Sequence, residues 1–117
     1  MGNDRERVTA APLRPIEFHI LLSLTSGERH GYGILQDAEE RGSRVDVGSL
    51  YRALARMSDR GLIEAVTRRE AADGGEERRN YYRITAKGLR LGRVEARRVA
   101  GLARVARACG LLREAGS

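Results

Sequence analysis

The chain is poor in what most enzymes and secreted proteins rely on. It has one cysteine, Cys109, so no internal disulfide can form, and a disulfide-stapled secreted fold is excluded. It has no tryptophan, a single phenylalanine and two prolines. Its longest apolar run, Ile20-Leu21-Leu22, is far too short for a bilayer span, so no membrane partner is expected. Residues 1–7 lack the apolar core of a signal peptide, and Glu6 stands where a myristoylation signal needs Ser or Thr. A reducing cytoplasm is the expected location.

The machinery of catalysis is equally thin. Gly31 and Gly33 lack the third glycine and the preceding strand of a dinucleotide fingerprint, and no phosphate-cradling lysine loop exists. His19, His30 and Cys109 are the only soft metal ligands, and no two stand at chelating spacing. The pairs Glu39-Glu40 and Glu76-Glu77 read as solvated surface, and no nucleophile–base arrangement is suggested. No enzyme activity, cofactor or metal is expected.

What remains is small and charged. The 117 residues are 41 % hydrophobic, enough for one modest core, and 32 % charged. There are 22 basic and 16 acidic residues, a net charge of +6. All but one of the basic residues are arginine, the exception being Lys87. A basic protein of this size has nucleic acid as its first candidate partner. The charge is local, however. Residues 83–113 hold nine basic residues and one acid, Glu95, a net of +8, which leaves −2 for the rest.

Residues 1–11 read as a mobile arm. Pro15 suits the first turn of a helix that carries Ile16, Phe18, Ile20, Leu21, Leu22 and Leu24 and stops at Thr25-Ser26-Gly27. A second helix opens at Gly31-Tyr32-Gly33, turns Ile34, Leu35 and Ala38 inward, and is capped by Gly42. Ser43 to Val47 alternates and could form an extended bridge. A third helix runs from Gly48 or Ser49 to about Arg60, with Leu50, Ala53, Leu54 and Met57 as its buried stripe. Two β-prone runs, 62–69 and 78–84, form a hairpin with a long polar tip over 70–77. Thr85 is a candidate N-cap for a last helix from Ala86 toward Leu112.

Three short helices, a hairpin and a long helix is the order of a winged helix-turn-helix followed by a dimerisation helix. The expected class is therefore mainly α with a small β-hairpin. The DNA-binding domain would span residues 12–84 and the dimerisation helix 85–113. In that fold the third helix enters the major groove and the hairpin flanks the backbone. With Leu50, Leu54 and Met57 inside, Ser49, Arg52 and Arg56 form an outer stripe at i, i+3 and i+7. Ser49 and nearby amides suit a phosphate at the helix N-terminus. The two arginines suit guanine edges. Tyr51 lies beside the stripe, where its hydroxyl either reaches a phosphate or packs on the scaffold. Arg68, Arg69, Arg78 and Arg79 near the hairpin tip suit the phosphate backbone, unless Glu70, Asp73, Glu76 and Glu77 neutralise them locally.

Four sequence blocks carry a family resemblance. They are His30-Gly31-Tyr32-Gly33-Ile34, then Gly48-Ser49-Leu50-Tyr51-Arg52-Ala53-Leu54, then Asp59-Arg60-Gly61-Leu62-Ile63, and last the run from Arg79-Asn80-Tyr81-Tyr82 through Ile84-Thr85-Ala86-Lys87-Gly88. In this order, over about residues 13–112, the chain resembles PadR-like transcriptional regulators. That resemblance implies a homodimeric repressor on a two-fold symmetric operator, relieved by a small-molecule effector in some members. The subgroup that stacks drugs between subunits uses a Trp of the last helix, and this chain has none.

The last helix argues for a dimer on its own. Leu102, Val105, Ala106, Cys109 and Leu112 recur at three and four, on a helix too long for a small domain to cover. The first helix of one protomer, through Phe18, Leu21 and Leu22, is expected to receive the last helix of the other. Two alternatives are a winged helix that binds protein rather than DNA, and a small-molecule sensor with a cavity near Phe18 and the last helix.

Overall fold

The structure, a computed structural model, describes residues 12–72 and 75–113, with the backbone alone over 68–72 and 75–79. The elements are α1 (Pro15–Leu24), β1 (Arg29–His30), α2 (Gly31–Glu40), α3 (Val47–Asp59), β2 (Ile63–Ala72), β3 (Gly75–Ile84) and α4 (Ala86–Ala108). The strands form one antiparallel sheet in the order β1-β3-β2. The order of helices, hairpin and long helix is the one read from the sequence.

Each helix starts where a side chain can take an orphan amide. In α1, Pro15 needs no donor partner, and the Glu17 carboxylate accepts the Arg14 N–H at 2.9 Å. In α2, His30 Nδ1 accepts the Gly33 N–H at 3.1 Å. In α3, Asp46 accepts the N–H groups of Gly48 and Ser49 at 3.3 and 2.9 Å. In α4, Thr85 Oγ1 accepts the Gly88 N–H at 3.0 Å.

The core sits between α1, α2, α3 and the base of the sheet. Ile20, Leu21, Ile34, Leu50, Leu54, Met57, Leu62 and Ile63 are its largest fully buried side chains. The buried stripe of α3 is Leu50, Ala53, Leu54 and Met57, one face of a 3.6-residue period, as the spacing requires. Burying each large side chain of that stripe contributes about 1.5–3 kcal/mol.

Two of the sequence blocks meet at the root of α4. The Thr85 hydroxyl donates to the Gly61 carbonyl at 2.6 Å, and the Thr85 N–H donates to the Leu62 carbonyl at 3.1 Å. Lys87 Nζ donates to the Arg60 carbonyl at 2.8 Å, so the single lysine caps the C-terminal end of α3. Gly88 lies so near the turn that a Cβ there would stand 2.1 Å from the Leu62 carbonyl oxygen. Only glycine permits that approach.

Several local readings need correction. The long polar tip of the hairpin is mostly strand, paired in register up to Ala72 opposite Gly75. The polar sequence hides it because a wing in solvent needs ladder hydrogen bonds but no apolar alternation. Asp73 and Gly74, like residues 1–11, lie outside the described residues. A third strand, β1, for which the sequence reading placed no element, pairs Arg29 with Tyr82 and His30 with Tyr81. Residues 43–46 carry no strand. Helix α3 begins at Val47, because Asp46 rather than a later residue is the cap. Helix α4 ends at Ala108. Gly110 takes a φ of 83°, and the N–H groups of Gly110 and Leu111 return to the carbonyls of Arg107 and Ala106.

Candidate nucleic-acid interface

Helix α3 presents the face opposite its buried stripe to solvent. Tyr51 is 48 % exposed, Val47 is 54 % exposed, and Arg52 and Ala55 are exposed beside them. Tyr51 also packs on the scaffold. A Cβ on Gly31 would meet its hydroxyl oxygen at 2.6 Å, so the glycine that opens α2 makes room for the ring. The side chain thus holds α3 against α2 and keeps its outer edge in solvent.

Arg52 lies along the first turn of its own helix. Its Nη2 donates to Ser49 Oγ at 3.2 Å and stands 3.9 Å from the Asp46 carboxylate. Both charges are about 70 % exposed (69 % and 72 %), so water screens the pair and the guanidinium can leave it. Ser49 Oγ donates to Asp46 at 2.6 Å. The Ser49 hydroxyl and the Ser49 and Gly48 amides together hold the Asp46 carboxyl below its ordinary value of 3.8. The amides expected to greet a phosphate are therefore already donating to a carboxylate. In this arrangement Ser49 is part of the cap of α3.

Arg56 has a different partner from the one its spacing suggested. Its Nε donates to Glu17 of α1 at 3.3 Å, and the Glu17 side chain is 4 % exposed. A buried carboxylate needs such compensation. Arg56 flanks the solvent face and braces α3 against α1.

The wing is described by its register. Arg68 lies opposite Arg79, Arg69 opposite Arg78, and Glu70 opposite Glu77. Like charge faces like charge in the ladder, in bands rather than in neutralising pairs. The side chains of residues 68–79 lie outside those described. At the base of the wing, Arg83 bonds Glu64 at 3.0 and 3.2 Å and reaches Glu28 at 3.9 Å. His30 meets Tyr81 edge to face at 5.5 Å, and Tyr82 is buried beneath, its hydroxyl pKa raised by burial and by Tyr51.

The residues read as a dimer interface fall into two groups. Leu21 is already buried within its own protomer, under Gly92 of α4. Phe18 is half-buried and Leu22 is 38 % exposed. Together with Leu89, Gly92 and Ala96 they line an open apolar groove of about 170 Å³ between α1 and α4. On the distal half of α4, Leu102 and Val105 are more than half exposed and Ala106 is half-buried; Cys109, its C-cap, and Leu112, beyond its end, are exposed. Val94, Val99 and Leu111 join this exposed set, and the three-four reading missed them.

The sequence reading also missed Val47, Gly48 and Ala55 on the outer face of α3. The signal was present. An Asp at 46 is a stronger N-cap than a Gly or Ser two residues later, and placing the cap there brings Val47 into the helix, away from the buried stripe. The described residues contain no cluster of three or more His, Cys, Asp or Glu able to hold a metal ion, and no helix long and apolar enough to cross a membrane.

Comparison with known proteins gives consistent relatives. Residues 20–93 match the transcriptional regulator PadR-like family. The transcriptional regulator Rv3488 of Mycobacterium tuberculosis is 34 % identical over 73 residues, which is 62 % of this chain and 64 % of that protein's length. A PadR family transcription regulator from Clostridium difficile superposes with a TM-score of 0.72 at 28 % identity, covering 80 % of this chain and 95 % of its own. Bacillus subtilis PadR, solved in complex with operator DNA, shares the fold with a TM-score of 0.57 at 24 % identity, over 66 % of this chain and 44 % of its own.

Proposed function

From its membership of the PadR-like family of transcriptional regulators, to which this chain belongs, we propose that it is a sequence-specific DNA-binding regulator. It acts as a homodimeric repressor on a two-fold symmetric operator. The observation that carries the reading is the outer face of α3. An unburied stripe of Val47, Tyr51 and Arg52 is mounted on a helix whose other face is fully packed. A rigid helix with a solvent-facing arginine is what major-groove readout requires. In support, the arginine bands of the wing stand opposite one another, an arrangement that an anionic backbone would relieve. The B. subtilis relative of the same fold was solved on its operator.

Arg52 reads base edges, Tyr51 contacts the backbone, and Arg68, Arg69, Arg78 and Arg79 contact phosphates. Arg56 serves as a brace. The dimer forms through the distal apolar stripe of α4, with Leu102, Val105, Ala106, Cys109 and Leu112 against the partner's Phe18–Leu22 groove. The test is fluorescence anisotropy of the protein on its own upstream DNA and on a scrambled duplex, over a salt series. Binding that is tight, sequence-dependent and steeply salt-dependent supports the reading. Equal, weak binding to both duplexes rejects it for that DNA.

The groove between α1 and α4 favours a second, compatible reading, in which a small apolar effector competes with the partner helix and relieves repression. A compound that saturates the protein and lowers operator affinity supports it. Saturable binding without any change in affinity removes the regulatory part.

A further inference from the structure

Helix α4 carries a line of positive charge that neither the α3 surface nor the dimer stripe uses. Arg90, Arg93, Arg97 and Arg104 are exposed. At 100° per residue they fall within an arc of about 60°. The arc lies about 170° from the buried positions Gly88 and Glu95, and about 140° from the stripe of Leu102, Val105, Ala106 and Cys109. Dimerisation through that stripe therefore leaves Arg90, Arg97 and Arg104 in solvent, while Arg93, itself exposed, borders the groove between α1 and α4. Among the described residues none of the four has an ion-pair or hydrogen-bond partner. The one acid of the helix, Glu95, is buried and engaged by Arg98 and by the Leu13 N–H.

We propose that this stripe is a second, sequence-independent surface for the phosphate backbone of double-stranded DNA, separate from α3. Like charges three and four residues apart, as in Arg90–Arg93 and Arg93–Arg97, weaken a free helix, and no acid among the described residues pairs with them. The positions run about 21 Å along the axis, the length of roughly six base pairs. The positions on and beside the arc are Ala86, Ala100, Gly101 and Ala108. A protein partner would find no aromatic anchor there and one flanking aliphatic side chain, Val94, whereas protein interfaces depend on clustered anchors. A uniform polyanion needs none. The root of α4 is fastened to the C-terminal end of α3, whereas the exposed N-terminal turn of α3 is its opposite end, so the two surfaces are distinct. The choice of DNA as the polyanion rests on the function proposed above.

The test uses the full chain and a variant with Arg90, Arg93, Arg97 and Arg104 all changed to Gln, which keeps helix propensity and stem length. A second variant with Lys at the same positions restores the charge. Circular dichroism and thermal midpoints check folding. Anisotropy on a random-sequence 40-base-pair duplex across a salt series should show the slope of log affinity against log salt falling by about 3 to 4 in the Gln variant, since each phosphate contact adds about 0.9. The Lys variant should recover it. An unchanged slope in a folded Gln variant overturns the proposal. So does binding of poly-glutamate or anionic vesicles through the stripe when the duplex slope does not change. Arg52→Ala separates this from the α3 reading. If it loses sequence preference and keeps the random-duplex slope, both surfaces stand. If it changes nothing while the Gln variant loses all binding, the α3 reading fails and the stripe remains.

Discussion

Helices α3 and α4 are built alike and finished differently. Each is capped by an acceptor side chain, carries an apolar stripe and has arginines on its open face. In α3 the whole stripe is buried inside the protomer, down to Met57 at 0 % exposure. In α4 the only buried positions are Gly88 and Glu95, both in the first half, and beyond them Val99, Leu102 and Val105 stand in solvent. A stripe completed within one chain serves stability. A stripe left open serves association. The same pattern in sequence therefore carries two meanings, which only tertiary contact separates.

The sharpest way to break this comparison is to truncate one leucine on each helix. Leu54→Ala should lower unfolding free energy by about 2–5 kcal/mol in denaturant titrations, because it opens a cavity in the core. Leu102→Ala should change protomer stability by less than about 0.5 kcal/mol. Its effect should appear in sedimentation as weaker self-association. Equal losses in both variants would mean that α4 is as finished as α3.

Next in size is the joint between the helices. Gly88→Ala forces a methyl against the Leu62 carbonyl and should cost about 1–3 kcal/mol of stability. A neutral result would show that the root of α4 yields easily.

The two arginines of α3 sharpen the comparison within one helix. Arg52→Ala should leave the thermal midpoint unchanged and cost about 1–3 kcal/mol on the preferred DNA site, with relaxed specificity. Arg56→Gln should do the reverse, lowering stability by about 1 kcal/mol once the partial exposure of Arg56 is discounted, because it leaves the buried Glu17 without its cation and with only the Arg14 N–H. If the two variants behave identically in both assays, the division of roles is wrong.

The smallest expected effect is on acid stability. The Arg98 guanidinium, helped by the Leu13 N–H, holds the Glu95 carboxyl below its ordinary value of 4.5, against the opposing pull of burial. A depressed folded-state pKa stabilises the fold above that ordinary value, and the contribution disappears as pH falls through the folded value. Stability should therefore decline from about pH 4.5 downward. Glu95→Gln should be less stable at neutral pH and show a flatter acid limb. An unchanged limb would place the acid sensitivity elsewhere.

Much of this architecture was legible because backbone and burial rules leave few choices. The stripe of Leu50, Ala53, Leu54 and Met57 could be read directly, since its period has one solution. The Thr85 cap was equally plain. What escaped was set by partners distant in sequence. Nothing local says that Arg56 meets Glu17, 39 residues away, or that Arg29 and His30 pair with Tyr82 and Tyr81. The strand character of residues 70–72 and 75–77 escaped for another reason. A solvated ladder has no hydrophobic signature, and glutamates and arginines side by side look like a loop. Val47 and Gly48 were left off α3 because its start was read at Gly48 or Ser49, and the Asp46 cap places it at Val47.

The clamp of Thr85 and Lys87 on the end of α3 has a mechanical meaning. From that root α4 projects about 34 Å. A tilt of only 5° at the base would carry the far end about 3 Å sideways, close to the axial step of one base pair. Two short hydrogen bonds to the carbonyls of Arg60 and Gly61 thus act as the bearing of a long lever. Any subunit joined through the lever's tip inherits its angle, and with it the separation of the two α3 helices. In a dimer of that kind, the spacing of a symmetric site would be written at the foot of the last helix, in Thr85 and Lys87.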